Sequence, residues 1–231
     1  MKRVLFFFLL VPLLYSQTTT EVEITAEPSH HLALENQYVR VFQVEVAPHA
    51  ATLMHRHRHD YVYVTLGDAH LSNEVEGKPP TEVKLADGDT RFTPGNFAHI
   101  AKNLSDQPFR NVTIELMQDH KSPQRPTPAP EAAVEATFPG GRSKNFYVKS
   151  GNGVKVSEVT LEPGASMPSR AFGGPQLLVA INDLDLRSDI RSTSPVSVNL
   201  KSGDVKWLAG GYAPMLTNVG KSPARFATLE F

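Results

Sequence analysis

Between residues 39 and 46 the chain reads Val-Arg-Val-Phe-Gln-Val-Glu-Val, so that Val39, Val41, Gln43 and Glu45 alternate with Arg40, Phe42, Val44 and Val46. Successive side chains of a strand point to opposite faces, and this alternation is the mark of one. Tyr61-Val62-Tyr63-Val64 and Val112-Thr113-Ile114-Glu115-Leu116 are β-branched and aromatic in the same way. Turn formers separate the runs: Ala47-Pro48, Lys78-Pro79-Pro80, Asp87-Gly88-Asp89, Pro94-Gly95-Asn96 and Ser105-Asp106. Short strands at this spacing predict an all-β sandwich or barrel. Helix is scarce, and its best candidate is Pro130 to Ala136.

The pattern occurs twice. Val39-Arg40-Val41 returns as Val154-Lys155-Val156, 115 residues later, and the offset then holds without a gap. Val44 matches Val159, Pro48 Pro163, Val64 Val179, Asp68 Asp183, Leu71 Leu186 and Leu85 Leu200. Gly88-Asp89 matches Gly203-Asp204, Asn103 matches Asn218, Arg110 matches Arg225 and Glu115 matches Glu230. Such a register over one long stretch is an internal duplication. Between the copies, residues 119–141 carry Pro123, Pro126, Pro128, Pro130 and Pro139, then Gly140-Gly141, and read as a surface connector.

Composition narrows the function classes. The chain has no cysteine, which excludes disulfides, Cys-zinc sites and thiol nucleophiles. Its 23 basic and 24 acidic side chains nearly cancel, with no long basic run, so nucleic acid is not an expected partner. Lys2 and Arg3 precede an apolar run from Val4 to Leu14, followed by Tyr15-Ser16-Gln17. A positive start and a run too short to span a bilayer predict a signal peptide over residues 1–16, an exported protein and no stable membrane anchor. The expected layout is signal peptide (1–16), first barrel (27–118), connector (119–141) and second barrel (142–231).

All nine histidines precede residue 121, and the second copy has none. Histidines needed for packing would be needed twice, so their role is expected to be chemical. The densest run is His55-Arg56-His57-Arg58-His59-Asp60-Tyr61. On a strand, His55, His57 and His59 share one face and Arg56 and Arg58 the other. Imidazoles at i and i+2 can hold one ion, and His99, after the turn Pro94-Gly95-Asn96, is the candidate third ligand. Three neutral imidazoles with open positions suit a divalent transition metal such as Fe, Mn, Zn, Ni or Cu. His30, His31 and His120 give no signal, and His49 and His70 read as surface residues.

Residues 48–103 resemble the two motifs of the cupin superfamily. The first pairs HxH with a following acid, six residues and a glycine, matched by His55-Arg56-His57, Asp60 and Gly67. The second is glycine, five residues, P-x-G, two residues, histidine, three residues and asparagine. Gly88, Pro94, His99 and Asn103 match it, with Asn96 in place of the middle glycine. The resemblance implies two tandem jelly-roll β-barrels, with His55, His57, Asp60 and His99 as metal ligands in the first. The family usually leaves three or four residues between HxH and the acid, and here there are two. An uninterrupted strand puts Tyr61, not Asp60, on the histidine face, and a bulge restores Asp60. Asp60, His59 and Tyr61 therefore all stand as fourth-ligand candidates.

At the fixed offset His55 becomes Arg170, His57 becomes Phe172, Asp60 becomes Pro175 and His99 becomes Pro214, while Gly203, Asp204 and Asn218 persist. The second barrel is thus expected to lack a metal site, and Gly88, Asp89 and Asn103 to be scaffold. The leading expectation is a metal-dependent enzyme of oxygenase, isomerase or lyase type on a small organic substrate. Tyr61 is its candidate proton donor, and Tyr61, Tyr63 and Phe92 are expected to line the pocket. The alternative is a non-catalytic cupin, either binding a small carbohydrate or acid or purely structural. A homo-oligomer, or a pseudo-dimer of the two barrels within one chain, fits either reading. In the second barrel, a pocket without metal would be floored by Arg170 and Trp207.

Overall fold

The computed structural model describes residues 20–117, 133–148, 153–167, 173–189, 194–210 and 215–231. The proposed signal peptide, Arg170, Phe172, Pro214, His120 and most of the connector lie outside these residues. Among them the only helical element is a 3-10 turn at Ile24–Ala26.

The first half contains β1 (Val22–Glu23), β2 (His30–Glu35), β3 (Val39–Val46), β4 (His55–His57), β5 (Tyr61–Leu66), β6 (Ala69–Val75), β7 (Thr81–Leu85), β8 (Thr90–Thr93), β9 (Phe97–Asn103) and β10 (Phe109–Leu116). They form two facing sheets, in the orders β1-β4-β9-β6-β7 and β2-β3-β10-β5-β8. The second half contains β11 (Val134–Phe138), β12 (Gly141–Val148), β13 (Val154–Leu161), β14 (Gln176–Ala180), β15 (Leu184–Asp189), β16 (Val196–Leu200), β17 (Val205–Leu208), β18 (Met215–Asn218) and β19 (Ala224–Glu230). Its sheets run β11-β12-β13-β19-β14-β17 and β16-β15-β18. The architecture is all-β, two tandem jelly-roll barrels.

The repeat is visible strand by strand. β3 and β13, β7 and β16, and β8 and β17 coincide at the 115-residue offset in both bounds. Asn103 is fully buried, and its Nδ2 donates to the carbonyls of Val46 (3.1 Å) and Gln107 (2.7 Å). Asn218 does the same in the other copy, to Leu161 and Ser222, both at 2.9 Å. Asp89 accepts from the amide of Ala86, as Asp204 does from Lys201. Both copies therefore use these residues as scaffold, whether or not they carry ligands.

The expected helix at Pro130–Ala136 is not found where the chain is described. Val134–Phe138 is a strand that pairs with Gly141–Val148 and leaves four of its five residues exposed. An edge strand needs only one partner, so a β-branched stretch can extend the sheet outside the core.

Three apolar clusters organise the interior. One fills the first barrel with Ile24, Phe42, Val44, Val46, Leu71 and Phe109 among others. A second fills the other barrel, including Val159, Leu161, Leu178, Leu186, Leu216 and Phe226. The third lies between the barrels, where Val39, Val41, Val62, Val64, Val112 and Ile114 meet Val154, Val156, Leu177, Val179 and Leu229. This is why β3 is apolar on both faces: Phe42, Val44 and Val46 point into their own barrel, Val39 and Val41 toward the other. The polar contacts across this seam are paired by the repeat. Arg110 Nη2 donates to the Ser202 carbonyl at 3.2 Å, and Arg225 Nη2 to the Asp87 carbonyl at 2.8 Å. Because 110/225 and 87/202 are equivalent positions, the barrels meet through a pseudo-twofold interface of the isologous kind. Trp207 belongs to this seam, 5.3 Å from Tyr38 and 5.7 Å from Phe231 between ring centroids. It therefore does not floor a pocket in the second barrel.

Candidate metal centre

β4 is short because its flanks are committed elsewhere. The Asn96 amide donates to the His57 carbonyl, and a Cβ on Gly95 would sit 2.3 Å from the His59 backbone. The strand therefore ends at His57, and His59 lies in the following turn. Asn96 has φ +64°. It occupies the left-handed conformation that the family motif assigns to glycine, and asparagine tolerates that conformation better than most residues.

Within β4 the alternation is as read. His55 and His57 are buried, while Arg56 and Arg58 turn outward to Glu21 and Glu23. β9 lies antiparallel to β4 with His99 directly opposite His55. The structure thus brings His55, His57 and His99 together at one wall of the barrel. Ring centroids are 4.5 Å apart for His55 and His99, and 5.1 Å for His57 with either of the other two.

A fourth imidazole joins them. His30, at the start of β2, lies 4.7 Å from His55 between ring centroids. One ring nitrogen from each of His30, His55 and His57 lies within 4.8 Å of the others. Its position is fixed by Glu27, which is 2% exposed. Glu27 Oε2 is 2.6 Å from His30 Nδ1 and accepts from the Ser29 amide at 2.8 Å, while Oε1 accepts from the Leu53 amide at 3.1 Å. The Leu53 carbonyl in turn holds His55 Nδ1 at 2.9 Å. One carboxylate therefore anchors the N-terminal segment to the strand that carries the HxH pair. Burial pushes the Glu27 carboxyl up, but the His30 contact and the Leu53 and Ser29 amides outweigh it and hold it low. Sequence reading assigned His30 no role. The usable signal was the repeat: His30 falls on Asn145 and Glu27 on Arg142, so they vanish from the second copy as the other histidines do.

Asp60 and His59 are placed elsewhere. Asp60 Oδ1 accepts from the Gly95 amide at 2.9 Å, closing the turn after β4, and neither residue lines the cavity. Tyr61 does line it, stacked on His57 with centroids 4.2 Å apart and planes at 18°. Burial raises the Tyr61 phenol well above its ordinary value, so it is a neutral donor. Tyr63 also lines the cavity. Phe92 does not; it pairs with Val62 and packs into the seam between barrels, on the other face of its sheet.

The donor chemistry fits a metal ion. With His55 Nδ1 bound to a carbonyl, its buried Nε2 is a bare lone pair without a hydrogen-bond partner. His99 Nδ1 is 2.6 Å from Asn73 Oδ1, which leaves its Nε2 facing His57 Nε2 at 3.2 Å. Nitrogens about 2.1 Å from a common ion are about 3.0–3.4 Å apart, so this pair is spaced as two ligands of one ion. Burial, reinforced by the neighbouring imidazoles, pushes His55 down to about 4 and His99 to about 3, and lowers His57 further. All three are neutral at ordinary pH, the form that binds metal. The Nδ1 contacts of His55 to Leu53, of His99 to Asn73 and of His30 to Glu27 are the orienting hydrogen bonds that metal-binding histidines use, whereas His57 Nδ1 is buried without a partner and its ring is held by stacking on Tyr61.

The cavity beyond the histidines has a volume of about 140 Å³. Its wall includes Tyr61, Tyr63, Phe97, Phe109, Asn111 and Thr113. In the second barrel two of these positions carry larger side chains, Ala101 becoming Leu216 and Asn111 becoming Phe226, and Tyr63 becomes the apolar Leu178, all buried in a continuous apolar core.

No family model and no curated protein matches the sequence. Solved structures do resemble the fold. Lactobacillus farciminis oxalate decarboxylase in its formate complex is 12% identical, over 84% of this chain and 77% of that one, with a TM-score of 0.61. Bacillus subtilis oxalate decarboxylase, with Mn(II) centres, is 13% identical over 87% of this chain and 74% of that one, at 0.58. AerE from Microcystis aeruginosa is 13% identical over 88% of this chain and 97% of that one, at 0.56. The chain has the tandem cupin fold, with a histidine cluster suited to a divalent metal in its first barrel.

Proposed function

We propose that this chain is a metal-dependent cupin enzyme acting on a small organic molecule in its first barrel. The observation that carries the reading is the convergence of His30, His55, His57 and His99 at the wall of a cavity that continues beyond them. Four imidazoles leave one or two positions of a five- or six-coordinate ion facing that space. A bound divalent ion would supply Lewis-acid or redox chemistry there. The protein's own part is to keep the buried imidazoles neutral, orient His30, His55 and His99 through Glu27, Leu53 and Asn73, and present Tyr61 as an uncharged hydrogen-bond donor beside His57. Oxygenase, isomerase and lyase chemistry all fit this arrangement.

The wall also favours a second reading. No carboxylate lines the cavity among the described residues, and Tyr61 is held protonated, so the wall offers no ready general base. A non-catalytic protein that captures a small molecule on its metal would look the same. The chain purified anaerobically without a His-tag is expected to carry stoichiometric divalent metal by elemental analysis, and the His55→Ala/His57→Ala double variant none. Equal metal in both would overturn the metal centre. Turnover by the loaded protein separates enzyme from binder. Export is proposed from Lys2 to Leu14, and the N-terminus of the mature protein, read by mass spectrometry, is expected near Gln17.

A further inference from the structure

The cavity wall carries no Lys, Arg, Asp or Glu among the described residues. Its polar groups are imidazole, phenol, amide and hydroxyl, and the rest is apolar: Leu71, Val83, Leu85, Phe97 and Phe109. Arg91 approaches the Tyr63 phenol, but it is outside the lining, half exposed, and paired with Asp89 at 2.7 Å. The only place for a charged group of a ligand is therefore the metal itself. A second charge would be buried against neutral groups, a placement that proteins avoid unless it is paired. Size sets the other limit. The cavity opens to solvent, and the space within its wall, about 140 Å³, is close to the roughly 150 Å³ apolar cavity that accepts benzene, so it encloses about one ring of a ligand.

Resting on the metal-centre reading above, we infer that the site takes molecules with a single anionic oxygen head, bound to the metal, and an uncharged, largely apolar body of about one ring. Small dianions are excluded by the same wall. The head would meet the open face of the histidine cluster. The body would lie against Phe97, Phe109 and Leu85, with Asn111 and Thr113 available to a hydroxyl or carbonyl. Thr113 Oγ1 already donates to Asn111 Oδ1 at 2.8 Å, which leaves the Asn111 amide group as the free donor.

The test uses the full chain loaded with Co(II), whose visible spectrum reports its ligands. Benzoate, benzamide and succinate are the probes, similar in size and differing in charge and polarity. Benzoate is expected to shift the spectrum and to bind at least about tenfold tighter than either succinate or benzamide by calorimetry. Succinate binding as tightly as benzoate, or benzoate leaving the spectrum unchanged, would overturn the inference. If the chain takes up no Co(II), it is the metal-centre reading that fails. Two further variants borrow the second barrel's own filling, Asn111→Phe and Ala101→Leu. Either is expected to retain the Co(II) spectrum and lose benzoate binding. Undiminished benzoate binding in a variant that retains Co(II) would place the body outside this cavity and refute the assignment.

Discussion

Acidifying the metal-free protein sets two buried groups against each other, and one substitution separates them. His55 is held at about 4 in the fold. An exposed histidine titrates near 6.5. The unfolded chain therefore takes up a proton that the folded chain refuses between pH 6.5 and 4. Stability is intact above 6.5 and falls across that window by about 3 kcal/mol, at about 1.4 kcal/mol per pH unit. His57 and His99 shift in the same direction and steepen the fall, without simple addition, because the rings share neighbours. Glu115 opposes this. It is 1% exposed, its Oε1 has no hydrogen-bond partner, and burial raises it to about 7, against the pull of Arg40 at 3.4 Å. A folded carboxyl at about 7 takes up its proton before the unfolded one, so stability rises as pH falls from 7 to about 4.5, again by about 3 kcal/mol. The opposing contribution of Glu115 offsets part of the fall in the metal-free wild type. Glu115→Gln removes the carboxyl and keeps an acceptor for Arg40. Urea unfolding in chelator at pH 7.5, 6 and 4.5 is expected to show the variant losing about 3 kcal/mol or more across the range while the wild type loses clearly less. A variant as level as the wild type would refute the raised Glu115 carboxyl, and a variant whose stability stays flat from pH 7.5 to 4.5 would refute the claim that these histidines are neutral and buried in the fold.

The two scaffold asparagines should behave alike although only one barrel carries ligands. Asn103→Ala and Asn218→Ala are each expected to cost about 2–4 kcal/mol in denaturant unfolding, from lost hydrogen bonds and carbonyls left without a donor. A near-neutral result at either position would show that its loop closes without it. Glu27→Gln leaves one oxygen for the partners that two now serve. It is expected to weaken metal affinity about 10–100-fold in chelator competition, and unchanged affinity would mean that His30 is oriented by other groups.

The parts of the site legible in the sequence were those carried by strand alternation and fixed spacing. His55, His57 and His99 lie at neighbouring positions of one sheet, and β4 presents both of its histidines to the barrel because Arg56 has Glu21 outside it. Asn96 was visible as an anomaly in a motif, and its φ of +64° explains why asparagine is acceptable there. His30 was not legible, because its arrival depends on the N-terminal segment crossing to β4: Val22 pairs with His55 in parallel, and Glu27 bonds Leu53 across 26 residues. No local pattern encodes a contact of that range. Phe92 was assigned to the wrong side because one-face logic assumes solvent behind the sheet. Here the second barrel stands behind it, so both faces of β3 and β5 carry apolar side chains, and the one apolar residue of β8, Phe92, belongs to the seam. The edge strand Val134–Phe138 was hidden by the prolines around it.

The second copy explains how a barrel loses a site without losing its fold. Removing imidazoles from a cavity leaves empty space, and an unfilled cavity of this size would cost several kcal/mol. In the second barrel the ligand positions changed together with the wall: Leu216 and Phe226 occupy volume that the smaller Ala101 and Asn111 leave open in the first. The seam constrains the change from the other side. Arg225 still bonds Asp87 as Arg110 bonds Ser202, and the apolar faces of β13, β14 and β19 still cover those of β3, β5 and β10. The second barrel thus keeps its outer face for the first barrel and has given its interior over to packing. The sheet that closes the cavity of the first barrel is backed by a solid body, which holds Tyr61, Tyr63, Asn111 and Thr113 in place from behind. Under the proposed function, the second barrel would act through rigidity, by fixing the wall against which a ligand on the histidine cluster would fit.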